Sequence, residues 1–246
     1  MTRALFLAFI TTFIASPLLA ADDNPVVHKN DIPKLVREYL MEHPEVIMES
    51  VQQAQVKAQE AEQKESAAAV ARFKSEIFAD KNAPALGKPD AKVTIAEFYD
   101  YNCSACKFMF QGVSQYVKEG LPEDVRIVFK EFPIFGEQSE MLARMAIAVN
   151  RIDKDKFFAF HSGMMGFKGH PTDEQISELL KSIGLDMAAV KKEADSDAVK
   201  AIVEKNKQLG IALKIGGTPF VVVNDQVTPH AMDYATLKAA VEQARK

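Results

Sequence analysis

The apolar stretch Val93-Thr94-Ile95-Ala96 runs through Glu97 into Phe98-Tyr99-Asp100-Tyr101-Asn102-Cys103-Ser104-Ala105-Cys106, and a second such stretch, Val125-Arg126-Ile127-Val128-Phe129-Lys130, follows. Strand, helix, strand at this spacing is a βαβ unit with a parallel pair, which commits this part of the chain to an α/β sheet. The predicted helix starts at Cys103 and runs towards Tyr116 and Val117. The only two cysteines of the 246 residues therefore fall at a strand-to-helix junction.

That placement points to redox chemistry. Unpaired backbone N–H groups and the helix dipole favour thiolate over thiol at a helix N-terminus, and a second thiol one turn later can close a short disulfide ring. So small a loop restricts the unfolded chain far less than a long one, which argues for a reagent over a structural bridge. Three plainer readings compete: two inert buried thiols, a structural disulfide and a zinc site. A strand-to-helix junction leaves a thiol partly accessible, which disfavours the first. Zinc needs about four ligands. The five histidines, His28, His43, His161, His170 and His230, have no metal-ligand spacing, so neither a metal nor a cofactor is expected.

The other end of the chain speaks to compartment. Arg3, an apolar run from Ala4 to Ala15, then Ser16-Pro17 and Leu18-Leu19-Ala20-Ala21 have the layout of a cleaved secretory signal. The apolar run is short for a membrane span. Export to the periplasm follows as the expectation, with residues 1–20 as the signal peptide. A formal net charge of −4 and the absence of a basic block give no footprint for nucleic acid or a membrane surface.

Composition changes near residue 80. Asp31 to Phe78 contains no glycine, and its only prolines, Pro33 and Pro44, stand where a first helical turn tolerates them. Two helices are expected. The first carries Ile32, Leu35, Val36, Tyr39 and Leu40 on one stripe; the second starts near Pro44, carries Ile47, Val51 and Ala54, and becomes rich in Ala, Gln, Glu and Lys up to about Phe73. Helices with so thin an apolar seam contribute little to a globular core, and self-association is the leading reading for residues 21–79, against packing on the chain's own domain or a solvated linker. After a turn-rich loop, residues 80–246 form the main domain. A largely helical insertion is expected over about 138–213, with Met141, Leu142, Met145, Ala146 and Val149 on one face and Ile176, Leu179, Leu180 and Ile183 on another. Met164 and Met165 are expected in the core. The sheet resumes at Phe220-Val221-Val222-Val223, turns at Asn224-Asp225, and the chain ends in a helix from Tyr234 to Ala244.

The Phe-Tyr-Asp-Tyr-x-Cys-x-x-Cys run, the helical insertion and Gly216-Gly217-Thr218-Pro219-Phe220 together resemble the DsbA family of disulfide oxidoreductases over about residues 85–246. The extension, with Tyr39-Leu40-Met41-Glu42-His43-Pro44-Glu45-Val46, resembles that of the oligomeric ScsC-like and isomerase-type members. The resemblance implies an α/β, thioredoxin-like sheet with an inserted helical domain and an N-terminal helical oligomerisation extension. It makes Cys103 the exposed nucleophile, Cys106 the buried resolving thiol, and Thr218-Pro219 a loop with a cis bond facing the cysteines; the alternative is an ordinary trans turn. In related proteins an acid six residues before the first cysteine, and a lysine on the neighbouring strand, lie below the disulfide. Glu97 matches that acid by spacing, and Lys130 matches the lysine by its strand alone; charges facing solvent from a strand are the competing reading.

Ser104-Ala105 replaces the Pro-His of strongly oxidising members. Without that histidine a less extreme thiol pKa and a less oxidising disulfide are expected, which favours isomerisation; the likeness of Thr218 before the proline to isomerase-type relatives implies the same. The resulting expectation is a periplasmic thiol–disulfide oxidoreductase that isomerises or forms disulfides in exported client proteins, acts as a homodimer or homotrimer and is served by a membrane redox partner. A dithiol oxidase and a non-enzymatic holdase or assembly module are the alternatives.

Overall fold

A computed structural model describes residues 28–246; the expected signal peptide, 1–20, lies outside these residues. The chain divides into two compact units, the first ending at Gln55 and the second running from Val56 to Lys246.

In the first unit, α1 spans Ile32–Glu42 and α2, Pro44–Arg72, begins. Proline sits in the first turn of both, where a missing N–H costs no hydrogen bond. Ile32, Leu35, Val36 and Tyr39 repeat at helical spacing and all are exposed, as are Ile47, Met48 and Val51. Among the described residues, α1 buries none of its side chains.

The second unit takes in the end of α2 and α3 (Lys74–Phe78). Val70, Ile77 and Phe78 are buried there with Phe98, Val128, Phe132, Phe220 and Val222, so the last turns before residue 80 belong to the packing of the sheet. The sheet itself has the order β1-β3-β2-β4-β5, with strands at Ala85–Leu86, Val93–Tyr99, Val125–Glu131, Phe220–Val223 and Gln226–Thr228 numbered β1 to β5 in chain order. β2 and β3 are parallel, while β4 pairs antiparallel with β2 and β1 antiparallel with β3. The expected βαβ unit is thus present, closed by α4 (Ser104–Lys118). The two edge strands β1 and β5 are too short to carry a period-two signal in the sequence.

Central strands covered on both faces read as continuous apolar runs, and β2 and β3 do. Alternation assigns their side chains to two cores. Ile95, Tyr99, Ile127, Phe129 and Val221 pack with α4 and the helical insertion, whereas Ala96, Phe98, Val128 and Val222 pack with α3 and the end of α2. The insertion comprises α5 (Glu137–Ile152), α6 (Phe157–Gly166), α7 (Asp173–Ser182), α8 (Met187–Ala194) and α9 (Asp197–Ala212). Leu142, Met145, Ala146 and Val149 face the main core together with Met164 and Met165. Ala143 and Ile147, a few positions round α5, meet Val199, Ile202 and Val203 of α9. Side-chain caps at Thr172, Asp186 and Ser196 start α7, α8 and α9 by accepting from orphan N–H groups. Gly184, in the left-handed region at φ 74°, follows α7. The final helix α10, Tyr234–Ala244, rests on α4 at Gly112, where a Cβ would meet the Tyr234 nitrogen at 2.8 Å.

Candidate active site

β2 ends at Tyr99 and the chain turns through Asp100, Tyr101 and Asn102 into α4. The Cys103 N–H donates to the Asp100 carbonyl at 3.1 Å, and Cys103 becomes the N-cap residue with extended φ/ψ of −78° and 118°. An N-cap side chain faces the unpaired N–H groups of the first helical turn. Here that side chain is a sulfur; it makes no cap hydrogen bond, and the N–H groups of Ala105 and Cys106 act on it through their field. Cys106, one turn on, points inward to the main core.

Both cysteines are free thiols. Cys106 is 0 % exposed and Cys103 6 %. The nucleophile is therefore more covered than the family resemblance implied, because the loop before β4 lies over it. The Thr218–Pro219 peptide bond is cis, and the Cys103 sulfur lies 3.2 Å from the Thr218 carbonyl oxygen, to which its thiol form donates. The sequence-predicted residues Cys103, Cys106, Thr218 and Pro219 come together at this one place.

The environment separates the two sulfurs. Cys103 is pulled down to about 5, first by the hydrogen bond from the Cys106 thiol and also by the N–H groups of Ala105 and Cys106, against an opposing cost of burial. The missing histidine does not leave this thiol near its ordinary value. Cys106 is held far above its ordinary value by burial, by the proton it shares with Cys103 and by the charge of Glu97. One thiolate and one thiol at neutral pH is the result.

Glu97 sits in mid-strand, 1 % exposed, on the face that carries Ile95 and Tyr99. Burial and then the Cys103 charge push its carboxyl up to about 8. A carboxyl that exchanges its proton near neutrality, within the field of Cys106, can take or return the proton of that thiol.

Lys130 is not brought to the cysteines. It pairs with Phe98 across β2 and β3, whereas Glu97 pairs with Phe129; paired residues of parallel strands share a face, so Lys130 points to the opposite side of the sheet. There it is 0 % exposed and donates to Asp80 Oδ2 at 3.0 Å. Matching Lys130 by strand without counting the alternation is what misplaced it.

Several buried polar groups were not singled out from the sequence. Glu131, one residue beyond Lys130, is on the Glu97 side of the sheet and bonds the Tyr99 hydroxyl. Tyr99 meets Tyr101 at 3.3 Å, and Tyr101 meets His161 Nδ1 at 3.0 Å. Burial pushes the Glu131 carboxyl well up and His161 down to about 3, which leaves the imidazole neutral. The alternation Ile127, Phe129, Glu131 is the signal that finds the first of these; His161 lies within a largely apolar helix and carries none.

This geometry agrees with what the chain resembles. Residues 94–242 match the family described as DSBA-like thioredoxin domain, which covers more than half of the chain. The chain belongs to the DsbA-like thioredoxin family. Residues 29–61 match a second family, described as copper resistance protein ScsC N-terminal domain. Among curated relatives, disulfide bond formation protein D of Bacillus subtilis is 30 % identical over 176 residues, which cover 68 % of this chain and 78 % of that protein. Among solved structures, the thiol-disulfide exchange protein alpha-DsbA2 of Wolbachia pipientis superposes with a TM-score of 0.68 at 29 % identity, covering 74 % of this chain and 97 % of that one. ScsC of Proteus mirabilis, in a transitional conformation, gives 0.64 at 27 % identity and covers 89 % and 97 %. This DsbA-like chain is a thiol–disulfide oxidoreductase of the DsbA/ScsC type.

Proposed function

We propose that this oxidoreductase works in the periplasm as a disulfide isomerase of exported proteins, with Cys103 as its attacking group. The observation that carries the reading is the pairing of a Cys103 thiolate with a Cys106 thiol under the cis Thr218–Pro219 loop. An isomerase must begin with a free thiolate, and Cys103 supplies one; the same stabilisation of the reduced form also makes the disulfide form more oxidising, so it is the substrate assay below that separates isomerase from oxidase. Cys103 attacks a client disulfide, one S–S bond breaks as the mixed disulfide forms, and a client thiolate leaves. That client thiolate then attacks another client disulfide, and a later attack on the mixed disulfide returns Cys103 as thiolate, with no net oxidation.

Resolution by Cys106 is the second exit. In the mixed disulfide the Cys103 charge is gone, which removes one of the two causes that raise Glu97. More Glu97 is then carboxylate and able to take the Cys106 proton. Cys106 attacks the Cys103 sulfur, the client leaves reduced, and the enzyme is left with a disulfide for a membrane redox partner to reduce. The Thr218–Pro219 segment offers main-chain groups to an extended client beside the sulfur.

The helices before residue 56 supply the oligomer in this reading. Their exposed apolar stripe supports a homodimer or homotrimer. Periplasmic placement rests on the leader-like residues 1–20.

The test is recovery of activity from a scrambled-disulfide protein by the reduced mature chain, by a chain starting at Val56 and by Cys103→Ser. Starting at residue 80 instead would strip Val70, Ile77 and Phe78 from the core, at roughly 2 kcal/mol each. Recovery by the mature chain alone supports an oligomeric isomerase. Recovery by neither reduced form, with rapid oxidation of a reduced peptide by both disulfide forms, would make the protein an oxidase. Client protection that survives Cys103→Ser would make it a holdase.

A further inference from the structure

Asp100 lies three residues before Cys103, is buried, and takes no part in the exchange steps. Its main chain nevertheless bonds to Cys103. The carbonyl accepts from the Cys103 N–H at 3.1 Å, and the dipole of its N–H favours charge on the Cys106 sulfur.

Its side chain reaches the other way. Oδ2 accepts from the N–H groups of Ile134 at 2.7 Å and Phe135 at 3.2 Å. Oδ1 accepts from the Asn102 N–H at 2.8 Å and the Ser139 hydroxyl at 2.7 Å. The Asn102 amide ties in as well, donating to Ser139 Oγ at 2.8 Å. Four donors on one carboxylate leave a buried charge well satisfied and fix it in place. The donors come from three segments: the cysteine turn, the loop between β3 and α5, and the first turn of α5.

We propose that Asp100 is a positioning residue for thiol–disulfide exchange, whose carboxylate clamps the β3–α5 loop and the start of α5 to the cysteine turn and so holds the N-terminus of α4 against the Cys103 sulfur. Cys103 owes its thiolate to Cys106 and to the field of that helix turn, and a looser turn presents them less well. The same clamp fixes the exposed side chains of Ile134 (42 %) and Phe135 (54 %) beside the cysteine turn, where a client would meet them. The inference rests on Cys103 being the attacking thiolate.

Charge and position act in opposite directions here, which makes the inference testable. Removing a negative charge near a sulfur by itself favours the thiolate and lowers its midpoint. Losing the clamp raises it. The charged and titratable groups around the carboxylate are Glu131 on β3 and Lys107 on α4, those that act on Cys103 are Glu97 on β2 and Cys106, and none of these is altered by the substitutions chosen.

The experiment follows thiolate absorbance at 240 nm against pH in the reduced full-length protein, for wild type, Asp100→Asn and Ser139→Ala. The expected result is an acid constant for Cys103 about tenfold smaller in Asp100→Asn and about two- to threefold smaller in Ser139→Ala. The rate of attack on a small disulfide at pH 5 should fall in step. A midpoint unchanged or lowered in folded variants would overturn the inference. If Asp100→Asn does not fold, Ser139→Ala decides alone, since it removes one donor and leaves the charge. Failure of the underlying reading is distinguishable: wild type would then have no thiolate with an acid midpoint.

Discussion

Replacing Glu97 by glutamine should make the protein more stable, by an amount that grows with pH. The carboxyl is 1 % exposed and titrates at about 8, against 4.5 for its ordinary value. Between those two values the folded state holds a proton that the unfolded state has lost, so stability falls as pH rises. The slope is about 1.4 kcal/mol per pH unit, which amounts to about 3 kcal/mol at pH 7 and about 4 kcal/mol by pH 8. A glutamine in its place keeps the shape and polarity without the proton cost. Other carboxyls are common to both proteins and cancel in the difference. Urea denaturation of reduced wild type and Glu97→Gln between pH 5 and 8.5 gives that difference directly, provided the m-values agree. The disulfide forms should show a smaller pH dependence, because the Cys103 charge is one of the two causes of the shift. A difference that does not change with pH would mean that Glu97 is solvated or paired in solution and carries no raised pKa.

Three further outcomes follow from the same geometry. Cys106→Ser should accumulate mixed disulfides with clients through Cys103, visible as adducts on non-reducing gels, while Cys103→Ser should form none. Asp80→Asn, which breaks the buried pair with Lys130, should cost about 3–5 kcal/mol in denaturant unfolding; because the pair lies on the other face of the sheet, the reduction potential against glutathione should stay close to that of wild type. Replacing Leu35 and Val36 by serine should lower the molar mass measured by light scattering to that of a monomer, with little change in thermal unfolding of the second unit, since neither side chain is buried.

How much of this could be read from the residues depends on the length of the pattern. The long elements were legible: α1, α2, α4 and α10 begin and end within a residue or two of their sequence signals, since each carries a full apolar stripe or a clear start. β2 and β3 were legible as continuous apolar runs. The strands β1 and β5 were not, because two or three residues at a sheet edge show no periodicity. Cys103 and Cys106 announce themselves by type and spacing, and Thr218-Pro219 by its glycines and its place before β4. Lys130 failed for a physical reason, since a strand reverses its face at every residue and a match by strand alone leaves the side undetermined. Asp100 stood within the quoted run, yet its importance comes from donors at Ile134, Phe135 and Ser139, which are distant in sequence. Tertiary hydrogen bonds of that kind leave no local pattern.

Whether Cys103 alone is a thiolate at neutral pH and attacks clients is decided by titrating the reduced wild-type protein at 240 nm, with the alkylation-sensitive cysteine assigned by mass spectrometry. The expected result is a single midpoint near 5, one thiolate equivalent between pH 6 and 8, and rapid modification of Cys103 with Cys106 untouched. No ionisation below pH 8, or modification of Cys106 at a comparable rate, would contradict it.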